Sequence, residues 1–182
     1  MPEFTHLDEQ GRASMVDVTG KPVTLRRAVA RCRVVGVAGA VTSLSEDPDG
    51  LDVLGSARLA GIIGAKSTSN LIPLCHPVPL TDIDVQVAVL GEEVAVSAMA
   101  ETVARTGVEM EALTACALAA LSVVGALSGD HPQARVDDLT LWSKTGGRSG
   151  TWQRDGGGMH AVPGRLPGSE GGAAAAPGNI LV

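Results

Sequence analysis

An imidazole and two carboxylates are the side chains of this sequence best suited to proton transfer. His76 follows Cys75 in the segment Leu-Ile-Pro-Leu-Cys-His-Pro at residues 71–77. Glu109 and Glu111 lie at the start of the apolar segment Thr-Gly-Val-Glu-Met-Glu-Ala-Leu-Thr-Ala. Because imidazoles and carboxylates are the usual general acids and bases, these residues predict an acid–base site. The alternative for His76 is a loop histidine whose ring bonds a backbone carbonyl.

The two glutamates also have structural interpretations. Thr106 followed three residues later by Glu109 matches a capping box, which stabilises a helix start by ~1 kcal/mol. Glu111 is two residues further on and projects from a different face of the helix, where it would be solvated. The residue types alone leave both interpretations open.

Basic residues stand at positions where they can meet an anion. Lys144 and Arg148 flank paired glycines in Lys-Thr-Gly-Gly-Arg-Ser-Gly, a loop that can present successive N–H groups to a phosphate or carboxylate. The spacing is not that of a P-loop, and a flexible turn explains the segment equally well. Lys66 ends a predicted helix, where its positive charge would interact favourably with the helix dipole. Arg26 lies on a predicted strand with a basic exposed face.

The composition favours one domain with an aliphatic core. The chain has 182 residues, of which 45% are hydrophobic and only 2% aromatic, with no Tyr and a single Phe. Such a core must be built from Val, Leu, Ile and Ala, which bury less area per residue than aromatic side chains do. We therefore expect oligomerisation to supply further burial.

The net charge and the cysteine spacing argue against several classes of protein and of site. A net charge of −6 argues against nucleic-acid binding through a basic face. Cys32, Cys75 and Cys116 are widely spaced, which argues against a disulfide framework and a zinc site, and we predict no metal and no cofactor. We find no N-terminal signal segment and interpret the apolar stretch at 112–127 as a buried helix. The expectation is a soluble, cytoplasmic protein without membrane contact.

Hydrophobic periodicity predicts strands packed against two main helices, an α+β sandwich. The predicted strands cover residues 14–18, 23–35, 82–89, 94–103 and 134–142, with a hairpin between the third and fourth. The predicted helices cover residues 52–66 and 107–127. Residues 1–155 are interpreted as one domain and residues 156–182 as a Gly-, Ala- and Pro-rich tail.

Several of these segments resemble the cyclic pyranopterin monophosphate synthase family, the C protein of molybdenum-cofactor biosynthesis. The resemblance rests above all on Leu-Ile-Pro-Leu-Cys-His-Pro and Thr-Gly-Val-Glu-Met-Glu-Ala-Leu-Thr-Ala, and it also covers Met-Val-Asp-Val at residues 15–18 and the loop at residues 144–150. It implies a ferredoxin-like fold and a hexamer, a trimer of dimers with the active site at a subunit interface. The reaction it implies converts a cyclised dihydroguanosine triphosphate to cyclic pyranopterin monophosphate with release of pyrophosphate.

The resemblance also implies roles for particular side chains. Near the reacting part of the substrate it places His76, Glu111 and Glu109 as proton-transfer candidates, with Leu74, Cys75 and Met110 lining the pocket. Facing the phosphates it places Lys66, Arg26, Lys144 and Arg148.

The sequence departs from the family pattern at two lysines. Gly50 occupies the place of a catalytic lysine, and an Asp-x-x-Lys pair late in the second helix reads Gly-Ala-Leu-Ser, ending at Ser128. Loss of a general acid typically slows a reaction by about 100-fold to 10,000-fold. Asp130 and His131 follow closely and are possible partial substitutes.

These departures predict a repurposed cyclase or lyase that acts on a different small molecule in the inherited pocket. One alternative is the ordinary family reaction, with compensating groups from a neighbouring subunit. A second alternative is a non-catalytic binding or scaffold hexamer.

Overall fold

The computed structural model describes residues 6–37, 39–40, 44, 52–127, 129 and 131–155. Along the chain the elements are β1 (Thr24–Val35), α1 (Val53–Leu71), β2 (Leu80–Leu90), β3 (Glu93–Ala104), α2 (Glu109–Leu127), β4 (Arg135–Thr145) and β5 (Trp152–Gln153). The order βαββαβ, followed by one short strand, is that of the ferredoxin-like fold. The predicted α+β sandwich is confirmed.

The strands form one antiparallel sheet in the order β2-β3-β1-β4-β5. Strand β1 is central, with Ala28 opposite Ala100 of β3 and Lys144 of β4. Strands β2 and β3 form the predicted hairpin. Its turn places Gly91 at φ 63°, a left-handed conformation that glycine adopts without steric penalty.

One face of the sheet packs against both helices. Because successive side chains on a strand point to opposite faces, alternate residues of β1 enter the core. Ala28, Ala30, Cys32 and Val34 are all at most 1% exposed. Helix α2 contributes Ala112, Ala115, Cys116, Ala119, Ala120 and Val123, all fully buried. The core is therefore aliphatic, as the composition predicts.

Among the described helices, α2 is long and apolar enough to cross a membrane by length and composition alone. A helix in the core of a folded domain passes the same test. The buried residues of α2 belong to the aliphatic core, so the prediction of a buried helix explains its composition.

The structure corrects the predictions at both ends of the domain. The candidate strand at 14–18 is an irregular segment, because the Asp17 carboxylate accepts a hydrogen bond from the Thr19 amide (2.8 Å) in a local turn. The strand predicted at 134–142 is not the last one, since β5 follows it. The predicted tail at 156–182 lies outside the described residues.

Helix α1 continues beyond Lys66 to Leu71, so Lys66 does not end it. The end is determined by Pro73, because the residue before a proline is disfavoured in helical conformation. Ile72 is accordingly extended, at φ −112° and ψ 107°. At the other end, the Asp52 side chain accepts a hydrogen bond from the Gly55 amide (2.7 Å) and caps the helix.

Candidate active site

The loop after α1 carries a thiol and an imidazole toward β2. The Cys75 amide donates to the Ile72 carbonyl (3.1 Å), which closes a turn immediately after the helix. From there the chain runs without regular structure through His76, and both Cys75 and His76 are half-buried. The Thr102 hydroxyl on β3 donates to the Pro79 carbonyl (2.6 Å) and ties the end of this stretch to the sheet. The sheet thereby fixes the position of the loop.

Glu111, in the first turn of α2, is a buried carboxylate with only 5% of its surface exposed. Burial, with a contribution from the charge of Glu109, raises the pKa of Glu111 to about 7. Burial and the charge of Glu111 also raise the pKa of the Cys75 thiol. Cys75 is therefore a neighbour of Glu111 and stays protonated near neutral pH. A carboxyl group that titrates near 7 can accept and return a proton under physiological conditions.

Glu109 has a different environment, although it is only two residues away. Its carboxylate accepts a hydrogen bond from Lys144 Nζ of β4 at 3.1 Å. The two side chains are 31% and 29% exposed, so the pair lies at the edge of the site. Among the described residues, Thr106 makes no side-chain hydrogen bond to the Glu109 amide. The ion pair with Lys144 therefore replaces the capping box as the structural role of Glu109.

Most of the predicted site residues line one cavity of about 630 Å³. Those that line it are Arg26, Leu74, Cys75, His76, Glu109, Met110, Glu111 and Arg148. Lys144 lines a small adjoining pocket to which Arg26 and Glu109 also contribute. Lys66 is exposed on α1 and lines neither the cavity nor the small adjoining pocket. Within one chain, Lys66 is thus separate from the other predicted residues.

The N-terminal arm, residues 6–21, forms a wall of the cavity that sequence reasoning missed. His6 and Lys21 line the cavity from this arm. Arg105, in the turn between β3 and α2, lines it as well and donates a hydrogen bond to the Thr19 carbonyl, which holds the arm in place. Lysine is rare in this sequence, and that rarity was the one feature that could have drawn attention to Lys21 as a site residue. Its proximity to the other site residues arises from tertiary packing.

Asp17, in the same arm, is a neighbour of His76. Hydrogen bonds from Thr19, together with the charge of His76, lower the pKa of Asp17. Asp17 is therefore ionised at neutral pH and places a negative charge near the imidazole. From sequence the residue lies in the segment predicted as a strand at 14–18, and only the folded arm brings it to the site.

The glycines of the loop after β4 allow it to lie against β1. Gly146 and Gly147 have φ values of 91° and 70°, in the region that favours glycine. A β-carbon at Gly146 would collide with the Leu25 carbonyl, and one at Gly147 with the Arg26 guanidinium. The loop is thus packed directly on the start of β1, which sets Arg148 at the rim of the cavity.

Comparison with known proteins identifies relatives over most of the chain. The model of the MoaC family matches residues 15–147. A cyclic pyranopterin monophosphate synthase of Thermomicrobium roseum is 50% identical over 158 residues, covering 85% of this chain and 95% of the relative. The synthase of Streptomyces coelicolor is 47% identical over 153 residues, covering 83% and 89%. Cyclic pyranopterin monophosphate synthase 2 of Mycobacterium tuberculosis is 46% identical over 154 residues, covering 84% and 92%.

These relatives overturn the prediction of a repurposed enzyme with a different substrate, which is wrong. That prediction relied on the lysines missing at Gly50 and Ser128, and both positions lie outside the described residues. It argued from the loss of these lysines as a general acid, whereas the cavity still holds proton-transfer groups at His76 and Glu111 and receives cations from several other elements. The chain belongs to the MoaC family of enzymes, whose curated relatives described above carry the name cyclic pyranopterin monophosphate synthase.

Proposed function

We propose that this chain is a cyclic pyranopterin monophosphate synthase. It converts a cyclised dihydroguanosine triphosphate to cyclic pyranopterin monophosphate and pyrophosphate, a step of molybdenum-cofactor biosynthesis. The observation that carries the proposal is the single cavity of about 630 Å³ in which His76 and Glu111 share walls with cationic side chains. The identity of about half of all aligned positions to a relative with this name supports it.

The cations of the cavity suit a triphosphate. Lys21, Arg26, Arg105 and Arg148 reach it from the arm, from β1, from the turn before α2 and from the loop after β4. A hydrogen bond to a charged partner contributes about 1.5–3 kcal/mol. The same contacts stabilise the charge that develops on departing pyrophosphate. We assign these residues to phosphate binding.

Glu111 and His76 are assigned to proton transfer. They reach the cavity from different elements, Glu111 from α2 and His76 from the loop after α1. With a pKa of about 7, Glu111 is present in both protonation states at neutral pH and can serve first as base and then as acid. Leu74 and Met110 supply apolar contacts for the ring system, and Cys75 lies beside Glu111 as a thiol.

The active unit in this proposal is a hexamer, a trimer of dimers in the cytoplasm, with the cavity at a subunit interface. Lys66 supports this arrangement, because it is exposed on α1 and separate from the cavity of its own chain. Leu59 and Ile63 lie one turn apart on the same helix and are 58% and 54% exposed. Association would remove this apolar strip from water.

The proposal is tested by giving the purified full-length chain the cyclised dihydroguanosine triphosphate and measuring pyrophosphate and cyclic pyranopterin monophosphate. We expect both products in equal amounts, together with rescue of a strain that lacks its own synthase. Replacement of His76 by alanine should lower kcat by about 100-fold to 10,000-fold. A folded protein that releases neither product and gives no rescue would contradict the assignment.

A further inference from the structure

Two of the three cysteines meet in the core between the sheet and the helices. Cys32 lies on β1 and Cys116 on α2, and the two residues are 1% and 0% exposed. Their sulfur atoms are 3.2 Å apart, with the Cys116 thiol donating to Cys32 Sγ. The third cysteine, Cys75, is half-buried and lines the cavity. The pair is separated by 84 positions in the sequence, so only the packing of α2 on β1 brings its sulfurs together.

The two sulfurs are closer than an ordinary non-bonded contact. Carbon atoms attract each other best at about 3.5–4.0 Å, and sulfur is the larger atom. A disulfide bond is about 2.05 Å long, so the pair at 3.2 Å needs a shortening of about 1 Å to form one. Small rotations of the two side chains about their Cα–Cβ bonds can supply a movement of this size. The core therefore holds two thiols at a separation that suits a disulfide.

The proposed reaction makes no use of this pair. Neither Cys32 nor Cys116 lines the cavity. Their other polar contacts are backbone carbonyls at 3.7 Å, that of Cys116 for the Cys32 sulfur and that of Val96 for the Cys116 sulfur. Among the described residues, no group of three or more His, Cys, Asp or Glu side chains could hold a metal ion. The chemistry open to the pair itself is therefore that of two adjacent thiols.

We propose that Cys32 and Cys116 are a modification site at which hydrogen peroxide forms a reversible disulfide. In the first step, the sulfur of one cysteine attacks the peroxide, the O–O bond breaks, and a sulfenic acid and water are formed. In the second step, the other sulfur attacks the sulfenic sulfur, the S–S bond forms, the S–O bond breaks and a second water leaves. The two thiols lose two electrons and two protons, and the peroxide is reduced to two waters.

Burial determines how each step occurs. The hydrogen bond to Cys32 and burial raise the pKa of the Cys116 thiol well above its usual range, and a buried protonated thiol is inert. The first step therefore needs a transient local opening of the core. When the core closes, the sulfenic sulfur lies against the second thiol and away from further peroxide. Well-oriented groups react at effective concentrations of about 10⁵ M or more, so the disulfide forms before a sulfinic acid does.

The disulfide joins the central strand to the helix that carries the proton-transfer glutamate. Cys116 follows Glu111 on α2, and Cys32 belongs to β1. Because the stabilisation from a disulfide grows with the length of the loop it closes, a cross-link over 84 positions restricts the unfolded chain strongly. Disulfides in a reducing compartment are usually transient, since cellular thiols reverse them by exchange. The cross-link therefore secures the fold during exposure to peroxide and is released afterwards.

The proposal is tested by treating the folded, full-length protein with hydrogen peroxide and then alkylating the remaining thiols with N-ethylmaleimide in urea. Mass spectrometry should show a chain that has lost two hydrogen atoms, and a peptide map without reduction should join Cys32 to Cys116. Dithiothreitol should restore both thiols. The oxidised protein should also melt about 5 °C or more above the reduced protein, because the cross-link restricts the unfolded chain.

Three variants separate the pair from the thiol of the cavity. Cys32→Ala and Cys116→Ala each remove one member of the pair, and neither should show the disulfide or the rise in Tm. Cys75→Ser keeps the pair and should cross-link as the wild type does, which excludes bonds through Cys75. If an alanine variant does not fold, the peptide maps of the wild type and of Cys75→Ser decide the question. Peroxide that leaves Cys32 and Cys116 as free thiols, or that joins them only after unfolding in urea, would overturn the proposal, whatever the product assay shows.

Discussion

At the scale of the residue, burial separates two glutamates that the sequence places side by side. Glu109 is 31% exposed and is paired with Lys144, whereas Glu111 is 5% exposed and forms no ion pair with a described cation. The pKa of Glu111 rises to about 7 chiefly because burial penalises its charged form. Glu111, the glutamate suited to proton transfer, is thus the one whose ionised form the fold stabilises less.

The raised pKa of Glu111 predicts a pH-dependent stability. Folding raises this pKa from 4.5 to about 7, so between these values the folded state binds more protons than the unfolded state. The free energy of unfolding therefore falls as pH rises through this window. Glu111→Gln removes the effect, and above pH 7 the variant should be more stable than the wild type by up to about 3 kcal/mol. Urea unfolding from pH 4.5 to pH 8 measures the difference.

Glu109→Gln is the matched control for that experiment. It removes a carboxylate that is partly exposed and paired with Lys144; loss of the pair is partly offset by relief of Glu111 from a neighbouring charge, so the change should stay within about 1 kcal/mol. The difference in the free energy of unfolding between wild type and Glu111→Gln should therefore depend on pH. If it is the same at pH 4.5 and pH 8, the charge of Glu111 does not destabilise the folded protein.

At the scale of the element, α1 and α2 pack closely because α1 has glycines where they cross. A β-carbon at Gly61 would lie 2.9 Å from the Ala115 carbonyl oxygen and 3.0 Å from Val85 Cγ1. One at Gly64 would lie 2.8 Å from Leu118 Cδ1. This close contact fixes the end of α1, and with it the loop that carries His76.

Gly61→Ala should therefore destabilise the protein, although alanine is the better helix former. The propensity gain is about 1 kcal/mol, and overpacking against a backbone carbonyl costs about 1–3 kcal/mol. We expect a lower Tm by differential scanning calorimetry and a higher KM, because the His76 loop shifts with the helix.

Gly125→Ala, in α2, provides the opposite case. An added β-carbon there meets no atom within 4 Å, so the propensity gain should raise the stability by about 0.5–1 kcal/mol. A gain of the same size for Gly61→Ala would show that the crossing is looser than the structure indicates.

At the scale of the whole molecule, we propose a site that draws on more than one chain. His76 lines the cavity of its own chain, whereas Lys66 lies outside it. When chains carrying His76→Ala and chains carrying Lys66→Ala are co-expressed in equal amounts, about a quarter of the shared sites should receive both wild-type residues. Mixed oligomers should then recover a comparable share of wild-type kcat, although each variant alone is impaired.

The control for that experiment mixes two variants of the same wall, His76→Ala and Glu111→Gln. Both residues line the cavity within one chain, so no site in the mixture is intact and the activity should stay low. If neither mixture recovers activity although the variants still form oligomers, Lys66 does not act across the interface.

The sequence predicted local features well where a single physical rule dominates. Alternation predicted β2, the turn after it predicted β3 as its hairpin partner, and apolar content predicted α2 as a buried helix. The segment at 14–18 failed because alternation there reflects an arm lying on the cavity, with Asp17 near His76, rather than strand pairing. Short apolar runs look alike in both situations, and only the packed partner distinguishes them.

By itself, the sequence determined the fold class, the family resemblance and the residue types of the site, because these depend on local patterns and on extended motifs. Tertiary structure alone decided which of those residues share a cavity, which glutamate titrates near neutral pH and which cations line that cavity. Lys21, Arg105 and Asp17 reach the site from segments remote in sequence, and Glu111 acquires its pKa from burial. The distances between these side chains, and the dielectric environment around each of them, are set only when the chain is packed. The spacing of residues along the sequence therefore does not encode them.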